Sequence, residues 1–163
     1  MNIEYFSHVP LLTAAASLTS GRVLELGSGL GSTLALHGIC GSTGRELVTL
    51  ETDETWLNTF TVYGRSWHIL RHVPDFNNLI EYSQEWGLAF VDHGIAEQRG
   101  MSIEKLRHVP VIVAHDTCHP WLYNYEPILN NFKYRYDWKV KQPMTTVVID
   151  TIDVAEMFAK AGL

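Results

Sequence analysis

The sequence predicts an α/β domain built on an open, mostly parallel β-sheet, and three observations carry that expectation. First, a short apolar run, Val23 to Leu26, leads into a glycine-rich turn, Gly27-Ser28-Gly29-Leu30-Gly31, and then into an apolar-periodic segment opened by Ser32-Thr33. Second, later apolar runs end in acids, at Glu51, Asp75, Asp92 and the pair His115-Asp116. Ligands in open α/β sheets sit outside the carboxyl ends of the strands, so these acids point into one crevice. Third, the chain closes on two strand-like runs joined around Gln142-Pro143-Met144, a hairpin.

Each element has a local reason. Ser7 suits an N-cap and Pro10 a first helical turn, so the alanine-rich run Leu11 to Leu18 reads as a helix closed by Thr19-Ser20-Gly21. His8 reads most simply as an exposed capping histidine. The helix opened by Ser32 runs to about Cys40, with Gly38, Gly41 and Gly44 marking a loop, and Glu46 to Leu50 is the second strand. Asp53 and Thr55 start a helix over Glu54 to Tyr63, in which Trp56, Leu57 and Phe60 pack. Trp67 to Val73 is a third strand, Leu79 to Gln84 one or two helical turns, and Trp86 to Asp92 a fourth strand. A crossover helix over Ser102 to Leu106 precedes a fifth strand, Val109 to Ala114. Tyr123 to Phe132 reads as a helix, and Tyr134 to Lys141 and Thr145 to Asp150 as the closing strands.

Composition narrows the class. A chain of 163 residues suits one domain over 1–163, large enough to bury about 70% of its unfolded surface. No run of about 18 apolar residues is present to span a membrane, and the start, Met1 to His8, lacks the pattern of a secretory signal. Cys40 and Cys118 form no CxxC pair, which leaves neither a disulfide framework nor a zinc ribbon and makes a reduced, cytoplasmic setting the expectation. A formal charge of −6 argues against a nucleic-acid partner held through phosphates, unless Arg65, Arg71, Arg107, Lys133, Arg135, Lys139 and Lys141 gather locally.

The glycine turn departs from the nicotinamide fingerprint G-x-G-x-x-G, because the third glycine falls at Gly31 and Ser32 takes the later place. Glu25 lies two positions before Gly27, where a carboxylate repels pyrophosphate and suits a ligand bearing an ammonium group. The run Glu25-Leu26-Gly27-Ser28-Gly29-Leu30-Gly31 resembles motif I of the class I S-adenosylmethionine-dependent methyltransferases, acid-x-Gly-x-Gly-x-Gly. With Glu51, Asp92 and His115-Asp116, the resemblance covers roughly residues 21–152. It implies a Rossmann-like three-layer sandwich with a seven-stranded sheet, strand seven inserted antiparallel between strands five and six. It implies S-adenosyl-L-methionine as cofactor. The implied binding residues are Glu25, the turn residues Gly27, Ser28, Gly29, Gly31 and Ser32, then Glu51 with Thr52, Asp75, Asp92 and His93. Glu51 is placed to accept ribose hydroxyls and Asp75 the adenine amino group. A helix near residues 11–18 covers the cofactor's methionine end in that family, which brings His8 toward the site.

Methyl transfer to a hydroxyl needs an aligned acceptor and a group that takes or shares its proton. His115 is the natural base, since its ordinary pKa lies closest to neutrality, and Asp116 and Asp92 complete the catalytic set. Asp92-His93 and Asp116-Thr117 also resemble the metal-dependent catechol-type O-methyltransferases. Thr117 stands where that group has Asn and Ile95 where it has a lysine, so Mg²⁺ is an option that these departures count against, and no metal ligand is assigned. His115 to His119 mimics HExxH spacing, but a β-branched strand precedes it and Pro120 follows, which argues against a zinc helix. Cys118, His119 and Trp121 line or cover the pocket, while His37, His68, His72 and His108 are solvated or packed. Tyr123, Tyr125, Tyr134, Tyr136 and Trp138 gather late in the chain, next to the expected acceptor side, where they stack an aromatic or sugar acceptor or else are core and surface residues. The expected acceptor is an oxygen of a small molecule or saccharide, in a small pocket or one completed by a homodimer partner. The rivals are a nicotinamide-dependent oxidoreductase and a non-transferring or cofactor-degrading user of S-adenosylmethionine.

Overall fold

The computed structural model describes residues 6–151 and 153–159. The start of the chain, read above for a secretory signal, therefore lies mostly outside the described residues.

Seven strands form one sheet: β1 (Val23–Leu26), β2 (Leu47–Glu51), β3 (His68–His72), β4 (Leu88–Val91), β5 (Ile112–Ala114), β6 (Tyr134–Trp138) and β7 (Thr145–Ile149). Their order is β3-β2-β1-β4-β5-β7-β6, parallel except that β7 runs antiparallel to both β5 and β6. The expected sheet and its inserted antiparallel strand are both present. The central strands are buried on both faces, as in sheets covered by helices on two sides, which is why they read as unbroken apolar runs. One face packs Leu24, Leu26, Leu50, Ala89 and Val91 against Ile103, Leu106, Tyr125 and Leu129. The other packs Val23, Leu47, Leu88, Phe90 and Val113 against Leu11, Leu12, Leu36 and Phe158.

The helices are α1 (Val9–Leu18), α2 (Ser32–Thr43), α3 (Glu54–Asn58), α4 (Arg99–Lys105), α5 (Glu126–Leu129) and α6 (Val154–Ala159). Several differ from expectation. α2 runs past Gly38 and Gly41 and stops at Gly44, whose left-handed φ of 68° ends it. Gly41 is a packing glycine: a Cβ there would lie 2.9 Å from the Trp67 ring. α3 stops at Asn58 and a 3-10 turn, Thr61–Tyr63, replaces its second half. A 3-10 turn at Ala96–Gln98 starts α4 three residues before the expected Ser102. α5 keeps only four residues of the expected Tyr123 to Phe132, and α6 has no counterpart in the sequence reading.

The late aromatics do not gather. Tyr134, Tyr136 and Trp138 pack on the α1–α2–α6 side, with Tyr136 5.2 Å from Phe158, whereas Tyr123 and Tyr125 belong to the opposite side. Of the basic residues, Arg71, Arg107 and Arg135 pair with Glu81, Asp150 and Asp137. Among the described residues, no helix is long and apolar enough to cross a membrane.

Candidate functional site

The glycine turn joins β1 to α2 at the carboxyl end of the sheet. Gly27 takes a φ of +95°, and a Cβ there would lie 2.6 Å from the Asp92 carbonyl oxygen and from His93 N and Cα. Only glycine lets β1 pass this close to the end of β4. Gly29 and Gly31 leave the rest of the turn as bare backbone, with a Cβ at Gly31 meeting Val9 and His8 at 3.0 and 3.2 Å.

Two acids hold this turn. Glu51, at the end of β2, accepts through Oε2 from the Ser28 N–H at 2.9 Å and the Ser28 hydroxyl at 3.0 Å. Its Oε1 accepts from the N–H groups of Thr52 and Asp53 at 2.7 and 3.1 Å. Glu25 was expected to face an ammonium group, yet it is fully enclosed beneath the turn. Its oxygens accept from the Thr33 hydroxyl at 3.0 Å and the Thr49 hydroxyl at 2.7 Å. Burial pushes its pKa up to about 7, with those hydroxyls and Ser32 opposing the rise. The Thr33 oxygen in turn accepts from the Gly29 N–H at 2.9 Å.

Asp53 caps α3 as expected, accepting from the Trp56 N–H at 2.9 Å. Trp56 does more than pack. Its ring is half-exposed and its Nε1–H donates to the Ser28 carbonyl at 2.8 Å, so the indole stands over the turn. Asp75 is half-buried and its Oδ1 accepts from the Asn77 N–H at 2.7 Å, an Asx turn.

The opposite side of the crevice is a network of charges. Arg99, at the start of α4, reaches both strand-end acids: Nη2 lies 3.0 Å from Asp92 Oδ1 and Nη1 2.9 Å from Asp116 Oδ2. Its Nε–H donates to the His93 carbonyl at 2.6 Å and its guanidinium lies 4.3 Å from the centre of the Tyr123 ring. The Tyr123 hydroxyl also donates to Asp116 Oδ2 at 3.2 Å. Asp116 holds a left-handed φ of 59°, a strained conformation for a non-glycine residue that turns its carboxylate back over the sheet end.

His115 lies between these acids and the N-terminal segment. Its Nδ1 is 3.1 Å from Asp92 Oδ2 and 3.6 Å from Asp116 Oδ1, and its Nε2 is 2.9 Å from the Ser7 hydroxyl. That hydroxyl donates its one proton to the Pro143 carbonyl at 2.8 Å, so it accepts from His115 Nε2–H. Nδ1 faces a carboxylate and donates as well. A doubly protonated imidazole satisfies both contacts at once, an arrangement that competes with the expected role of His115 as a base. Burial alone would lower its pKa, but the hydrogen bond and charge of Asp92, with the charge of Asp116, raise it above the ordinary value. Asp92 moves the other way: burial is outweighed by the His115 hydrogen bond and the charges of His115 and Arg99, and its pKa falls.

His8 overturns its plainer reading. It is 3% exposed, stacks 5.1 Å from Phe90 and meets the His115 ring edge-on at 4.6 Å. Neither of its ring nitrogens has a hydrogen-bond partner among the described residues. Burial, with the charge of His115, lowers its pKa to about 4, so it is neutral with a free lone pair. Ser7, expected to cap α1, instead orients His115.

His93, expected at the cofactor, is fully buried below the crevice. It stacks on Phe76 at 3.9 Å, bonds the Ser102 hydroxyl at 3.1 Å, and burial lowers its pKa to about 3. Thr52 contributes its N–H to Glu51, and Ser32 is buried at the start of α2. Cys118 and His119 bond each other in a turn, Trp121 is 74% exposed, and no helix runs through His115 to His119.

No protein-family model matches the sequence, and no curated protein matches it. Solved structures do match in fold. The O-methyltransferase TomG from Streptomyces achromogenes, involved in tomaymycin synthesis and in complex with SAM, is 13% identical with a TM-score of 0.60, over 86% of this chain and 79% of that one. The SAH-bound methyltransferase PaMTH1 from Podospora anserina is 18% identical with a TM-score of 0.61, over 85% and 75%. An O-methyltransferase from Bacillus cereus in complex with SAH is 15% identical with a TM-score of 0.62, over 88% and 79%. The chain has the Rossmann-like methyltransferase fold.

Proposed function

We propose that the protein is an S-adenosylmethionine-dependent methyltransferase acting on an oxygen of a small molecule, saccharides included. The observation that carries this reading is the bare glycine turn tied to Glu51 at the carboxyl ends of β1 and β2. Fold neighbours crystallised with SAM or SAH support it. The turn fits such a ligand because Gly27 lets β1 close on the end of β4 and the three glycines leave the turn as bare backbone. Ribose hydroxyls would replace the Ser28 hydroxyl as donors to Glu51, with Trp56 and Asp75 flanking the nucleoside. Glu25 would act through Thr33 and the turn rather than by contact. When bound, the cofactor supplies a sulfonium methyl group, the electrophile.

The remaining residues orient the acceptor and handle its proton. Arg99 and His115 hold Asp92 ionised and Asp116 in place, and His8, neutral with both nitrogens free, accepts the proton of the acceptor hydroxyl. Mg²⁺ fits this donor set poorly. Arg99 already lies between the two carboxylates, and the buried Thr117 hydroxyl bonds Met144 O and the Thr146 hydroxyl. A homodimer that completes the acceptor pocket belongs to the same reading, and a fully active monomer on size-exclusion chromatography would remove it.

Calorimetric titration with S-adenosylmethionine, S-adenosylhomocysteine and NAD⁺ tests the cofactor. Micromolar binding of the first two and none of NAD⁺ is expected, and binding of NAD⁺ alone would overturn the reading in favour of an oxidoreductase. His8→Gln should keep cofactor binding and lose transfer to any acceptor found by screening.

A further inference from the structure

The proposed reaction does not use His37 or His68. They meet Nδ1 to Nδ1 at 2.9 Å, and His68 Nε2 lies 3.1 Å from the Thr49 hydroxyl. Thr49 is the cross-strand partner of Glu25 in the β1–β2 ladder, and its hydroxyl is 2.7 Å from Glu25 Oε2. A hydroxyl has one proton, so the direction of every link follows from the last. When Glu25 is ionised, Thr49 donates to the carboxylate and therefore accepts from His68 Nε2–H. His68 Nδ1 is then a bare lone pair, and His37 Nδ1–H donates to it.

On the far side of Glu25 the Thr33 hydroxyl donates to the carboxylate and accepts the Gly29 N–H. One hydrogen-bonded path thus runs from a half-exposed histidine on α2, through a buried histidine on β3 and a buried threonine on β2, to an amide of the glycine turn.

We propose that His37, His68 and Thr49 are positioning residues for the glycine turn, holding the Glu25 carboxyl in place and through it the Gly29 amide. The functional meaning rests on residues 27–31 being the cofactor turn, whereas the path itself stands on the geometry above. Its members are suited to the task. Glu25 and Thr49 are fully buried and His68 is 1% exposed, so solvent does not compete for these bonds. His68 is kept neutral by burial and by the nearby His37 and Arg65, which preserves the lone pair that His37 needs. The other charged or titratable groups that act on the path are Arg65 on His37, Asp92 on Glu25, and the Cys40 thiol, which lies within the influence of Glu25. The rings of Tyr63 and Trp67 pack on His37 at 5.2 and 4.6 Å and hold its orientation.

The test follows the Gly29 amide by NMR across pH, in the wild type and in Thr49→Val, Thr49→Ser and His68→Gln. Wild type should show an inflection at Gly29 that coincides with the Glu25 carboxyl titration, with His68 protonated at Nε2 and His37 at Nδ1. Thr49→Val removes a donor to the carboxylate, so both inflections should move up together by about one pH unit. Thr49→Ser should restore them. His68→Gln, whose amide can still donate to Thr49, should shift them less than Thr49→Val. A Gly29 amide that does not titrate with Glu25, inflections unmoved in Thr49→Val, or His68 protonated at Nδ1 would each overturn the proposal. None of these readouts needs S-adenosylmethionine, so failure of cofactor binding would count against the methyltransferase reading and leave this test intact. If the cofactor binds, its affinity should follow the same pH inflection and shift with it in Thr49→Val.

Discussion

The two sides of the crevice hold their acids by different means. On the β1–β2 side, Glu25 and Glu51 are surrounded by hydroxyls and backbone N–H groups. On the β4–β5 side, Asp92 and Asp116 share Arg99 and His115, a guanidinium and an imidazole against two carboxylates. The consequences for charge are opposite. Neutral donors only partly offset burial, so Glu25 titrates near 7 and can change state under ordinary conditions. Ion pairs overcome burial, so Asp92 and Arg99 are held more firmly charged and His115 is driven toward its cation. One side is adjustable and the other is set.

The sharpest way to break this contrast is to remove the cation. Arg99→Ala leaves two partly buried carboxylates facing each other and should cost about 3–5 kcal/mol of folding stability, read by urea denaturation. Arg99→Lys keeps a charge but not the fork that reaches both acids, so it should recover only part of the loss. An Arg99→Ala protein as stable as wild type would mean that the network is ornamental.

Glu25→Gln tests the adjustable side and should behave in the opposite way. Glu25 keeps its proton to higher pH in the folded chain than in the unfolded one, from an ordinary value of 4.5 up to about 7. Between those values the folded state binds more protons, so this contribution is complete below 4.5 and is lost as pH rises through 7. The shift corresponds to about 3 kcal/mol. Glutamine has nothing to ionise, so the variant should gain on wild type by that order between pH 4.5 and 8. The subtraction matters, because His8 and His68 oppose the trend. Their lowered pKa values contribute stability above 6.5 that is lost as pH falls through about 4. A Glu25→Gln difference that does not change with pH would show Glu25 ionised throughout and remove the contrast.

The strand-end acids of both sides were legible in the sequence and the groups that hold them were not, for a physical reason. A glycine turn and an acid at a strand end are local signals, readable from spacing because backbone geometry demands them. Glu51, Asp92 and Asp116 were found this way. Their partners are tertiary. Arg99 reaches the acids because the 3-10 turn at Ala96–Gln98 starts α4 earlier than its apolar pattern suggests. Ser7 and His8 look like cap residues, and only the folding of α1 against the turn brings them to His115. His93 was misplaced because adjacency to Asp92 says nothing about side-chain direction: alternation along the strand end sends it into the core against Phe76. Of the two readings of the late aromatics, Tyr134 and Tyr136 follow the packing one, since they pack against the core side that carries α6.

The smallest effect asks whether His115 is as fixed as its bonds imply. Ser7→Ala removes the acceptor of His115 Nε2–H and should cost about 1 kcal/mol in acid, where the imidazolium is present in both variant and wild type. A raised pKa contributes stability below the unfolded value of 6.5 that is lost as pH rises through the folded value. Without Ser7 that folded value falls, so the variant loses its imidazolium at lower pH than wild type does. Above both values the ring is neutral and can leave Nε2 unprotonated, with its remaining proton on Nδ1 toward Asp92, so the penalty should shrink. Urea denaturation of both proteins at pH 5.5 and 9, with the His115 ring followed by NMR, reads this directly. A penalty equal at both pH values would mean that the Ser7 hydroxyl donates to His115 rather than accepting from it. His115 would then be neutral with a single proton, available as a base after all, and the β4–β5 side would be as adjustable as the glycine turn.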